Sequence, residues 1–132
     1  MSYITRTGNL AKTPELREGE KSSYAYARVL VTDRVRKEDG TYADGATIGY
    51  EVLVSGSQAV ELVDTAERSG NVRVMFAGSY RVTEWEGENG TRVQHEVRAD
   101  EIGISLRSQS VTVERKQNSN ASDAEAFDTS TF

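Results

Sequence analysis

The sequence has no cysteine, one proline, one histidine and one tryptophan in 132 residues. Without cysteine there are no disulfides and no thiolate metal sites. The single histidine, His95, rules out a His-rich metal cluster and an imidazole pair for acid–base work. Long apolar runs are missing too. Hydrophobic residues make up 36% of the chain, and no stretch approaches the roughly 20 apolar residues that span a bilayer. Met1-Ser2-Tyr3-Ile4 lacks the charged and apolar regions of a signal peptide, so the expectation is a soluble, cytoplasmic protein with no membrane partner. Excess positive charge is also absent. The formal net charge is −5, which offers nucleic acid no general attractive field. Finally, there is no Gly-rich phosphate loop, no nucleophile–base pair and no metal-ligand spacing. Neither an enzyme nor a cofactor is expected.

What is present is organised around Ile48 to Ala77. Ile48-Gly49-Tyr50-Glu51-Val52-Leu53-Val54 is a β-rich run ending at Ser55-Gly56-Ser57. Either serine can cap the helix that follows. Within 57–68, Ala59, Leu62, Val63 and Ala66 fall at i, i+3, i+4 and i+7, one stripe of an α-helix. Gly70 supplies a left-handed terminus, and 72–77 returns to strand character.

On the N-terminal side, Tyr3–Leu10 is a short strand, and Pro14 is expected in an exposed turn. From Ser22 to Arg36 the period is two. Ala25, Ala27, Val29, Val31 and Val35 form a candidate core face. Tyr24, Tyr26, Arg28, Leu30, Thr32, Arg34 and Arg36 form the other, a mixture of arginine and tyrosine unusual for a merely solvated face. Residues 37–45 hold two Asp-Gly pairs and suggest a long mobile loop. On the C-terminal side, Gly78 is expected at a bend or bulge. Residues 79–85 and 91–97 form a hairpin around Asn89-Gly90, and 98–107 supply the closing strand. Beyond Ser108 the chain turns polar, and disorder is expected from about Glu114.

Short strands with one helix between the third and fourth suggest an all-β OB-fold, a five-stranded barrel plugged by a short α-helix. A β-sandwich is the rival, but an inserted helix fits it poorly. The expected division is a domain over 1–107 and a flexible, weakly acidic tail over 108–132.

Gly8-Asn9-Leu10 followed by Pro14-Glu15-Leu16-Arg17 resembles the opening of bacterial single-stranded DNA-binding proteins. Tyr50–Gly56, Ala59, Gly70, Val72, Val74, Gly78 and the hairpin from Arg81 to Trp85 resemble the rest of their domain, in the same order. The resemblance implies sequence-independent binding and protection of single-stranded DNA in replication, recombination or repair, by a homotetramer in the cytoplasm near the nucleoid. Such binding needs aromatic faces that stack bases and cations that track phosphates.

Trp85 and Tyr50 are the stacking positions that the resemblance implies. Arg28, Arg34, Arg36, Arg73, Arg81 and Arg92 are candidates for the phosphate track, Arg81 foremost because it belongs to the matched hairpin. Each has a plainer reading: Trp85 could cap the apolar side of its hairpin, Tyr50 could be core, and the arginines could be only surface. Relatives carry further aromatics where this chain has Val35, Gly49 and Ser55. Its platform is therefore reduced, or rebuilt from Tyr24, Tyr26, Tyr42 and Tyr80. His95 is expected on a strand surface, and Tyr26, Tyr80 and Phe76 in packing. The resemblance also implies a tail that docks DNA-maintenance proteins, with Asp128 and Phe132 as its contacts. The alternative function is a protein-interaction module of a replication or conjugation complex that touches DNA little.

Overall fold

A computed structural model describes residues 2–116. Its elements are β1 (Ser2–Leu10), β2 (Arg17–Glu18), β3 (Ser23–Arg36), β4 (Tyr42–Ser55), α1 (Ser57–Ser69), β5 (Arg73–Gly87) and β6 (Gly90–Ile104). Five strands close into a ring in the order β1–β3–β4–β6–β5 and back to β1. Only the β4–β6 pairing is parallel. This is the OB barrel, with the helix between its third and fourth strands. The two-residue β2 merely pairs onto the start of β3.

Period-two alternation builds the core. Ala25, Ala27, Val29 and Val31 of β3 point inward, as do Tyr50, Val52 and Val54 of β4, Val74 and Phe76 of β5, and Val97 of β6. Helix α1 turns Ala59, Leu62, Val63 and Ala66 onto that core, the stripe its sequence spacing marks. Each large apolar side chain removed from water contributes about 1.5–3 kcal/mol.

The helix termini divide. Gly70 ends α1 at a positive φ of 81°, and its N–H donates to the Ala66 carbonyl at 2.8 Å. The N-terminus is not capped by a serine. Gly56 occupies the cap at φ 70°, no side chain caps the helix, and the Gly56 carbonyl accepts from the N–H of Ala59 at 3.1 Å.

Other expectations are corrected by the length of the strands. The segments 73–77 and 79–85 form one strand, β5, with Val72 left just outside it, and 91–97 runs without interruption into 98–104 as β6. Gly78 does mark the expected bulge: Ala77 faces Glu101 and Gly78 faces Ala99, leaving Asp100 without a partner. The closing strand stops at Ile104, and Leu106 is exposed. The loop at 37–45 shrinks to a turn over 37–41, because Arg34, Val35 and Arg36 pair with Asp44, Ala43 and Tyr42. Asp39 holds that turn, its carboxylate accepting from the Thr41 N–H (3.0 Å) and hydroxyl (2.6 Å). These bonds to the charged form keep its pKa below the ordinary carboxylate value. Asp44-Gly45 is strand rather than turn.

Val35 leaves the core face for the same reason. The β3–β4 ribbon runs on past the barrel mouth, so Val35 has no layer opposite and is 52% exposed. Pro14 errs in the other direction: it is buried, not in an exposed turn. Past β6, Gln109 ties the chain back to β5, its side chain bonding the N–H of Arg73 (3.2 Å) and the carbonyl of Arg73 (2.8 Å). Lys116 forms an ion pair with Glu61 of α1, which raises the lysine pKa. Asp128 and Phe132, the expected tail contacts, lie outside the described residues.

Candidate nucleic-acid interface

The outward side chains of β3, β4, β6 and β5 form one continuous face, and the strand register places them in rows. Arg28 lies opposite Glu51, Glu51 beside Glu96, and Glu96 opposite Arg81. The row is therefore cation, anion, anion, cation. Both ends are closed by ion pairs: Arg28 Nη1 to Glu51 Oε1 at 2.8 Å, and Arg81 Nε to Glu96 Oε2 at 2.7 Å. The next row toward the helix end holds Tyr26, Leu53, Arg98 and Ser79.

In the other direction the β5–β6 hairpin runs out as an arm. There Trp85 faces Arg92, both on the same side of the ribbon as Arg81 because strand side chains alternate. Trp85 is 56% exposed, so its ring is open to a ligand. The β3–β4 arm carries Arg34 and Arg36 on the corresponding face, Arg34 lying over the Tyr42 ring at 5.8 Å.

Thus the structure brings Trp85, Arg81, Arg92 and Arg28 onto one face and extends it along a second arm with Arg34 and Arg36. Two expected site residues are not there. Arg73 sits at the far end of β5 opposite Asn9, about 27 Å from Arg81 at strand spacing, and its Nε is buried without a hydrogen-bond partner among the described residues.

Tyr50 is 3% exposed, with its ring inside the barrel mouth. Ring centroids of Phe76, His95 and Tyr80 lie 5.6, 5.6 and 5.9 Å from it. Arg6 donates to its hydroxyl at 3.1 Å and to Asp33 Oδ1 at 2.5 Å. Burial holds the Tyr50 pKa above its ordinary value, with Arg6 pulling the other way. A ring so enclosed has no face for a base. His95 belongs to the same cluster rather than to an open strand surface: its Nδ1 bonds the Tyr80 hydroxyl at 2.7 Å, and the two rings stack.

Three participants escaped the sequence reading. Glu51 and Glu96 neutralise the central arginines, and Arg98 joins the face beside Tyr26. The i, i+2 run Arg92, Gln94, Glu96, Arg98 carried that signal, since these residues must share a side once the segment is one strand. A groove of about 360 Å³ lies between the two rows, bounded by Tyr26, Glu51, Leu53, Arg81, Glu96 and Arg98. Among the described residues no three of His, Cys, Asp and Glu converge to hold a metal ion. No helix among them is long and apolar enough to cross a membrane.

No protein-family model matches the chain, and no curated protein does. Solved structures do. The small single-stranded DNA-binding protein from Streptomyces coelicolor superposes with a TM-score of 0.67 at 24% identity, covering 80% of this chain and 94% of that one. A deletion mutant of the single-stranded DNA binding protein from Thermus aquaticus gives 0.60 at 17% identity. That match covers 82% of this chain but only 52% of the Thermus chain, so this chain spans about half its length. At such identities the likeness is one of fold. The chain has the fold of these bacterial single-stranded DNA-binding proteins.

Proposed function

We propose that the chain binds single-stranded DNA without sequence preference, as a divergent member or paralogue of the family it resembles. Bases stack on Trp85, and phosphates follow Arg81, Arg92 and Arg28, with Arg34 and Arg36 on the neighbouring arm. The observation that carries this reading is the exposed Trp85 set opposite Arg92, on the arm and face that also present Arg81. Stacking on an exposed ring is worth about 1–3 kcal/mol per base and tolerates any sequence, because every base has a π-face. The barrel neighbours named for single-stranded DNA binding support the same reading. Replication, recombination or repair near the nucleoid is the setting that fits such an activity. Assembly as a homotetramer, a binding domain over 1–107, and a partner-docking tail over 108–132 belong to the same proposal.

Fluorescence anisotropy with labelled oligo-dT tests it. Wild-type protein should bind the single strand in preference to duplex, and Trp85→Ala should weaken that binding by about 1–3 kcal/mol. Unchanged affinity in a folded Trp85→Ala protein removes Trp85 from the site.

A second reading rests on the closed ion pairs of Arg28 and Arg81 and the net charge of −5. An OB barrel whose arginines are already neutralised suits a protein-interaction module. Binding of oligo-dT that is absent at low salt favours that alternative.

A further inference from the structure

We infer a second base-stacking subsite, built by Tyr26, Leu53 and Arg98 at the helix end of the same face. This inference rests on the single-strand reading above and deepens it. Tyr26 is 53% exposed although it lies within a well-paired stretch of β3. Its ring is not loose. Tyr24 packs against it at right angles, with centroids 6.0 Å apart and planes at 88°, and the 53% exposure shows that ring surface remains open beside this contact. Leu53 stands directly opposite in β4 and supplies an apolar floor.

Arg98 lies next to Leu53 in the parallel pairing with β6, and its own partner on β5 is Ser79, too small to shield it. Arg28 and Arg81 are held by carboxylates, whereas Arg98 makes no ion pair among the described residues. Two grooves, of about 360 and 480 Å³, open on opposite sides of this ledge, and Tyr26, Leu53 and Arg98 border both. An open aromatic face, an apolar floor and an unneutralised guanidinium are what one nucleotide requires: a base on the ring and its phosphate on the cation. The perpendicular contact with Tyr24 restricts the ring, so less side-chain entropy is lost when a base arrives.

Position separates this subsite from Trp85. Arg98 and Arg92 are six residues apart on β6, about 20 Å, so one strand must cross the Arg28–Arg81 row to reach both. A long oligo-dT can occupy both; a fragment too short to cross can occupy only one.

The test is binding of long oligo-dT to wild type, Tyr26→Ala, Tyr26→Phe, Arg98→Ala and Trp85→Ala at several salt concentrations, with melting curves to show that each variant folds. Tyr26→Ala should weaken binding about tenfold, within the range for loss of one stacked base, while Tyr26→Phe stays within twofold of wild type. Arg98→Ala should reduce the salt slope by about one phosphate contact. Should Tyr26→Ala melt early, Tyr26→Leu keeps the apolar bulk, removes the ring and must show the same loss. If Trp85→Ala weakens binding while the Tyr26 and Arg98 variants match wild type, the second subsite is wrong and the function stands. If wild type binds no oligo-dT at low salt, both fall.

Discussion

The side chains of the proposed face are set against one another as much as toward a ligand. Glu96 holds Arg81 at 2.7 Å, and Glu51 holds Arg28 at 2.8 Å. A phosphate that approaches either arginine competes with a carboxylate already in place. Pairs this exposed are worth about 0.2–1 kcal/mol, so a phosphate can displace them, at a cost in affinity. Glu96→Gln keeps the shape, removes one negative charge and frees Arg81. Oligo-dT binding should strengthen by up to about fivefold, a gain consistent with releasing one such pair. Weaker binding by Glu96→Gln would mean that the carboxylate orients Arg81 rather than restrains it.

At this scale the sequence reveals residue types better than their partners. The arginine–tyrosine face of β3 is legible from period two alone. The same alternation puts Tyr50 on the side of Val52 and Val54, opposite to Glu51; its stacking role rests on the resemblance alone. The burial of Tyr50 is completed by Phe76, Tyr80 and His95 meeting it from other strands.

Among the elements, α1 is the most legible, since the apolar stripe from Ala59 to Ala66 fixes both its presence and its buried face. The arms are the least legible. Nothing local tells that β3 and β4 outrun the barrel, so Val35 keeps a core-like spacing without a core to enter. Asp44-Gly45 likewise carries a turn signal that pairing overrides.

Gly78 is the element-scale position with the clearest consequence. A Cβ there would run into the backbone carbonyl of Arg98 across the bulge, and a backbone group cannot swing aside as a side-chain tip can. Gly78→Ala should cost about 1–3 kcal/mol of unfolding free energy, the range for overpacking, measured as a shift in the urea midpoint. Gly103→Ala, where a Cβ meets nothing, is the matched control. Equal midpoints for the two variants would show that the bulge does not need its glycine.

For the whole molecule, the seam that closes the ring is short. β1 pairs with β5 along most of its length, but with β3 only through Asn9 and Leu10. Its remaining edge offers backbone donors and acceptors to another chain, and Tyr3 stands exposed upon it. Pairing across this edge joins two chains; in the proposed homotetramer it is one of the contacts, and light scattering at micromolar concentration should give the mass of four chains. A monomer mass at that concentration would rule out the proposed assembly.

The acidic balance of the molecule also shapes how DNA is met. With a net charge of −5, attraction must come from the arginine face itself, and salt should weaken it with a slope set by the few phosphates contacted. Trp85 is the sole tryptophan, so its emission reports on the proposed site directly. The decisive measurement is a titration of that emission with oligo-dT across a series of salt concentrations. Saturable quenching whose affinity falls linearly with the logarithm of salt is the expected result. Emission that stays unchanged at the lowest salt, with no binding by anisotropy in the same samples, would contradict single-strand binding on this face.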